Sequence, residues 1–203
     1  FDNGDGVDIT GNSNRVFNYG PGGTIFGEDN GIRVSGTSNF IYNTSNNTIE
    51  GNDEDGIRFS SGSNLDIDNI DGTIIGWDDG IDIDSGGSVF IFNDGGLIEG
   101  RVDDGIESSS SDLNVTNQSR FLGGNSYDIG VIYGDNNGIS SFGSAAYIEN
   151  NFLALIIGED DDGIYLTGSG NEVYNDGLIQ GNDDGISLNS VTNGTNTIEN
   201  YDD

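Results

Sequence analysis

The stretch Asn175-Asp176-Gly177-Leu178-Ile179-Gln180-Gly181-Asn182-Asp183-Asp184-Gly185-Ile186 decides the fold, because near copies of it run along the whole chain. Its closing tripeptide returns as Asp/Asn-Gly-Ile/Val. The glycines are Gly6, Gly31, Gly56, Gly80, Gly105, Gly138, Gly163 and Gly185, spaced 25, 25, 24, 25, 33, 25 and 22 residues apart. One unit copied end to end denotes a solenoid. The 203 residues therefore read as one stack of about eight units, without a linker.

Within each unit three short stretches carry apolar residues at fixed places. The first begins just after the glycine, at Val7, Ile32, Ile57, Ile81, Ile106, Ile139, Ile164 and Ile186. A second apolar column follows two residues on, interrupted only by Ser108 and Ser141. This alternation marks a strand with one buried face. The second stretch carries Val16, Ile41, Ile67, Ile91, Val115, Ile148, Val173 and Ile198, each followed two positions later by an asparagine. The third runs from Ile25 to Ile179 and meets a glycine two residues later in every unit. No period of 3.6 appears, and glycine interrupts every candidate helix. The expected fold is all-β: a right-handed parallel β-helix of about eight coils of ~25 residues, with three short strands per coil. At roughly 4.8 Å per coil the rod is about 40 Å long. The asparagine column is expected to form a buried side-chain ladder, each amide donating to the next.

One unit departs from this pattern. Ile132 comes fifteen positions after Asn117, against four to seven elsewhere. The extra residues, about 118–130, are expected to leave the rod as a loop carrying Arg120, Phe121 and Tyr127. Residues 1–203 otherwise form a single segment. Phe1 falls inside a unit, which reads as a piece of a longer array or fibre.

Composition removes several functions. The net charge is −31, which repels phosphate and disfavours nucleic acid or an anionic membrane as partner. No apolar run approaches the roughly 20 residues of a membrane-spanning helix, so no insertion is expected. With no Cys and no His there is no thiolate or imidazole metal site, no disulfide and no histidine catalysis. All five basic residues are arginines: Arg15, Arg33, Arg58, Arg101 and Arg120.

Before most repeat glycines stand paired or tripled acids. Turn chemistry accounts for Asp or Asn there, with glycine supplying a positive φ. It does not account for the preference for charge. Stacked carboxylates about 5 Å apart repel by roughly 3 kcal/mol at an effective dielectric of 20. Hard oxygen ligands without nitrogen or sulfur suit Ca²⁺. The expected metal ligands are Asp29, Asp53, Asp55, Asp78, Asp79, Asp103, Asp104, Asp161, Asp162, Asp183 and Asp184. Raised carboxylate pKa values, splayed side chains and asparagine spacers such as Asn30, Asn136 and Asn137 are the alternatives.

The quoted string resembles the β-helical repeats of large secreted bacterial surface proteins, such as autotransporter passengers and calcium-dependent adhesins. That resemblance implies an extracellular, cell-surface location and a structural or adhesive role. The nonapeptide G-G-x-G-x-D-x-x-x of secreted toxins does not occur, so its calcium geometry is not carried over. The expected function is a non-enzymatic rod or filament subunit with an acidic, Ca²⁺-binding face. Its partners are itself, stacked head to tail or within a longer chain, and surface glycans. Two alternatives share the scaffold. One is a polysaccharide-acting enzyme of lyase or epimerase type, for which Arg33 and Arg58, in register near Asp29 and Asp55, are the best catalytic candidates. The other is a glycan-binding module using Tyr19, Tyr42, Trp77 and Tyr165 as platforms.

Overall fold

The computed structural model describes residues 4–84, 86–124, 126–189 and 194–201. The described residues contain strands and turns and no helix. The chain winds as a β-solenoid of about eight turns, each glycine of the repeat opening a new coil. Three parallel ladders run along it. The first joins Val7–Thr10 to the start of Ile32–Thr44 and continues to Ile186–Asn189. The second runs from Arg15–Asn18 to Thr197–Asn200 and the third from Thr24–Gly27 to Leu178–Gln180. Register follows the repeat, so Ile32 pairs with Ile57 and Ile57 with Ile81.

Coils one and four to seven keep their three ladder strands separate and the last described coil has two, but coils two and three differ. There the first two stretches fuse into Ile32–Thr44 and Ile57–Ile70. The corner between them is made of small residues, Ser35-Gly36-Thr37 against Ser61-Gly62-Ser63, which stay paired around the bend. Gly36 and Gly62 take φ of 110° and 132°, open only to glycine at low cost, and a Cβ on Gly62 would lie 1.9 Å from the Gly36 carbonyl oxygen.

Inward residues pile into columns of like on like. Ile32, Ile57, Ile81, Ile106, Ile139 and Ile164 are fully buried, as are Ile49, Ile74, Ile98, Ile132 and Ile156 in the third ladder. Each buried Ile contributes roughly 1.5–3 kcal/mol relative to leaving it in water. A chain only 32% hydrophobic thus builds a dry core, because its apolar residues are spent on inward places. Ser108 and Ser141 are buried in the same core, and Ser141 Oγ has no hydrogen-bond partner.

The asparagine ladder forms along the second corner. Nδ2 of Asn18, Asn43, Asn69, Asn93, Asn117, Asn150 and Asn175 donates to Oδ1 of the next asparagine at 2.7–2.9 Å, ending on Asn200. The other Nδ2 hydrogen caps corner carbonyls, as Asn93 does to Gly96 O (2.9 Å) and Val131 O (3.2 Å). These contacts satisfy polar groups that burial would otherwise leave unpaired.

The insertion after Asn117 is an ordered antiparallel hairpin rather than an open loop, formed by Arg120–Gly123 and Ser126–Asp128. Arg120 forms an ion pair with Asp71 of coil three. Phe121 packs on Tyr127 with ring centroids 5.1 Å apart, and Tyr127 meets Phe152 edge-on at 6.4 Å. Charge and aromatic contact thus fold the insertion back onto the corners of neighbouring coils.

Candidate functional site

The acidic edge is the corner between the third strand of one coil and the first strand of the next. Here the chain crosses its own backbone closely. A Cβ on Gly56 would lie 2.6 Å from Gly80 O and 2.8 Å from Ile74 Cγ2. Glycine is required at this place by contact and not by a positive φ. None of the eight repeat glycines has one.

From Asp5 to Asp162 the residue before each repeat glycine does one job. Its Oδ1 accepts the backbone N–H of its counterpart one coil on. Asp55 accepts from Asp79 (3.2 Å), Asp79 from Asp104 (2.8 Å), Asp104 from Asn137 (2.9 Å) and Asn137 from Asp162 (3.1 Å). Asn30 takes the same place between Asp5 and Asp55. Asp55, Asp79, Asp104 and Asp162 are buried, at 2–5% exposure. Capping the next coil therefore explains why this column is always Asp or Asn.

The expected single stack of ligands accordingly divides. Asp55, Asp79, Asp104, Asp162 and Asp184 belong to the inner column. Asp53, Asp78, Asp161 and Asp183 are exposed, and Asp29 and Asp103 are half-buried. Among the described residues, two groups could hold a metal ion, each with carboxylate oxygens within 4.8 Å of one another: Asp55–Asp79–Asp82 and Asp79–Asp103–Glu107. Of the eleven expected ligands only Asp55, Asp79 and Asp103 are brought together in this way.

Asp82 and Glu107 escaped the sequence reading. They stand two residues after the repeat glycine, in the column Asp8, Arg33, Arg58, Asp82, Glu107, Ser140, Tyr165 and Ser187. Register pairs Arg58 with Asp82, Asp82 with Glu107, and Glu107 with Ser140. Arg33 and Arg58 were the visible signal of that column. Several of its members face the inner residue of the preceding coil. Arg33 Nε lies 3.8 Å from Asp5 Oδ2, Ser140 Oγ donates to Asp104 Oδ2, and Ser187 hydrogen-bonds Asp162. At two successive coils the donor is replaced by an acid. Asp82 meets Asp55, and Glu107 meets Asp79.

The electrostatics follow from that replacement. Burial, then the charge of Asp82, pushes the Asp55 carboxyl up to about 7. Asp79 is raised to about 9 by burial and by Asp55, Asp104 and Glu107, against the opposing hydrogen bond from Asp104. Asp82 rises to about 6 and Glu107 to about 7, in both cases through burial first and neighbouring acids second. Asp55 Oδ2 is buried without a hydrogen bond. Its nearest positive charge among the described ion pairs is Arg58 Nη1, at 3.6 Å.

Arg58 itself is held by Asp84 at 2.9 Å and 3.0 Å, with Asp82 at 3.6 Å and Glu54 at 3.8 Å. Despite burial, these carboxylates hold its pKa above the ordinary value, which is the reverse of what a catalytic base requires. Arg33 pairs with Asp5 and Asp8, and not with Asp29. The aromatic residues expected as glycan platforms do not share a surface. Tyr42 lies on the second ladder beside Phe40, Tyr165 on the first beside Phe142, and Tyr19 and Trp77 in corners. No protein-family model, no curated protein and no solved structure matches the chain, so the chemistry of this edge is carried by its own residues.

Proposed function

We propose that the chain is a non-enzymatic structural rod of the bacterial cell surface, extending by coil-on-coil stacking and carrying an acidic edge that binds Ca²⁺. One observation carries the stacking: the ladders pair like with like from coil to coil, as Asn43 with Asn69 and Leu166 with Leu188, so each coil presents the pattern that the next one takes. Register kept from coil to coil makes the trailing edge of one coil complementary to the leading edge of the next. Support for a non-enzymatic role comes from Arg58, whose pairing with four acids leaves the edge without a free base of the kind a lyase uses. Sedimentation velocity and electron microscopy over a concentration series test the reading. Linear oligomers that Leu188→Asp abolishes are expected; a monodisperse monomer at every concentration overturns it.

A second reading is a surface for neutral glycan on the outer face of the second ladder. Phe17, Phe40 and Tyr42 cluster there, with Phe40 and Tyr42 stacked at 6.2 Å. Two grooves of about 440 Å³ and 290 Å³ share Phe40 and Asp66. Aromatic faces beside polar side chains suit sugar rings, and an uncharged polymer escapes the repulsion of the −31 chain. Titration with neutral oligosaccharides should give binding that Phe40→Ala abolishes. Equal binding by that variant removes this surface from consideration.

A further inference from the structure

We propose that the calcium of the acidic edge is confined to one two-ion centre in coils three to five, with Asp79 bridging an ion held by Asp55 and Asp82 to an ion held by Asp103 and Glu107. The centre rests on the reading of the edge as a calcium edge, and replaces a uniform strip with one address.

The repeat supplies its own control. From Asp5 to Asp162 the inner carboxylate or amide spends Oδ1 on the next backbone N–H, which leaves the second oxygen of each carboxylate to be satisfied. At Asp5, Asp104 and Asp162 the facing column provides Arg33, Ser140 and Ser187. At Asp55 and Asp79 it provides Asp82 and Glu107, which have no proton to donate when ionised. Two neighbouring coils thus break the donor rule, and they are the two where acids converge.

A second observation points to a ligand. Asp55 is 2% exposed, and its Oδ2 is buried with no hydrogen bond. Arg58, the one cation within ion-pair reach, hydrogen-bonds Asp84 and stays 3.6 Å away. A buried carboxylate oxygen with no hydrogen bond and only a long ion pair is costly, and a directly bound cation removes that cost.

Three oxygens within 4.8 Å of one another lie at most about 2.8 Å from a common point, so a small inward movement of the side chains suffices to reach the calcium range of about 2.3–2.6 Å. Carboxylates alone make the site hard, and Ca²⁺ tolerates the irregular geometry that Mg²⁺ resists. Backbone carbonyls or water complete the coordination.

The test is calorimetric titration of chelator-treated protein with CaCl₂, with MgCl₂ in parallel. Asp79→Asn is the decisive variant, and it preserves the corner because Asn30 and Asn137 already serve in that column. Saturable uptake of two Ca²⁺ per chain is expected in the unmodified protein, with Mg²⁺ weaker. Asp79→Asn should abolish both events, Asp82→Asn the first and Glu107→Gln the second. Asp162→Asn, in the same column outside the centre, should bind as the parent does. Far-UV circular dichroism of each variant checks the fold. Should Asp79→Asn fail to fold, Asp82→Asn and Glu107→Gln decide by losing one ion each. Saturable binding that survives Asp79→Asn, or that Asp162→Asn weakens equally, overturns the centre. Non-saturable, salt-sensitive uptake indifferent to all variants also overturns it, while leaving a diffuse cation edge. Linear assembly is read separately, so its failure is not confused with this one.

Discussion

Asp79 Oδ1 accepts the backbone N–H of Asp104 at 2.8 Å, and both residues are buried. An acidic side chain thus works as a spacer between coils, and the same contact recurs with Asn30 and Asn137 in its place. The capping oxygen matters in every coil. The charge matters only where its second oxygen meets another acid.

Contact, and not backbone conformation, should govern the repeat glycines. Gly56→Ala puts Cβ 2.6 Å from Gly80 O, whereas Gly185→Ala meets nothing closer than Ile179 O at 3.5 Å. Overpacking against backbone should cost Gly56→Ala about 2 kcal/mol or more. Gly185→Ala should be neutral to slightly stabilising, because it restricts the unfolded chain without strain. Urea unfolding of the pair measures the difference.

The asparagine ladder should be most sensitive in its middle. Asn93→Ala removes one acceptor from Asn69 and three donated contacts, to Asn117, Gly96 and Val131. Several buried polar groups lose partners, so a loss of about 3 kcal/mol or more is expected. Asn200→Ala strips only the bond from Asn175 at a more exposed place and should cost about 1 kcal/mol. Thermal melting of both variants checks the ordering.

Ser141 offers a gain. Its Oγ is buried without a partner, in a column whose next member is Leu166. Ser141→Ala removes an unsatisfied hydroxyl and should stabilise the fold by about 1 kcal/mol. A melting temperature at or below that of the parent would refute this.

Cation-free protein should lose stability as pH rises. Asp79 moves from an ordinary 3.8 to about 9 in the fold, and Asp55 to about 7. Between the unfolded and folded values the fold holds protons that the unfolded chain has released. The slope of unfolding free energy against pH is then negative. The contribution is complete below about pH 3.8 and disappears as pH climbs through 7 and then 9. Chemical denaturation from pH 5 to 9 in chelator should show the decline, set against the general acid loss of other carboxylates. Saturating Ca²⁺ should reverse it by replacing those protons.

What the sequence disclosed followed from how many neighbours each position must satisfy. Asn69 repeats as a single residue type and Ile57 as Ile or, at Val7, Val, because both faces of a coil ask the same of them, so solenoid and ladder were both legible. Asp78-Asp79 was not. The two are alike in sequence, yet one is exposed and the other buried. Which one turns inward depends on the crossing at Gly80, a contact between coils. The φ of the repeat glycines was misjudged for the same reason. Asp-Gly looks like a turn locally and is a close approach in three dimensions. Asp82 and Glu107 matter only through register with Asp55 and Asp79, and that register could be counted from Arg33 and Arg58. The hairpin at Arg120 depended on Asp71 and Phe152, which no local pattern connects.

The side-chain ladder from Asn18 to Asn200 has a direction. Every amide hands its proton the same way along the axis, so one end of the rod offers an oxygen and the other an N–H₂. Two rods meeting like end to like end would oppose donor to donor or acceptor to acceptor. Any end-to-end growth of the kind proposed would therefore be vectorial. A fibre of such units would have a front and a back, and a surface that anchors one end would dictate which way the whole structure points.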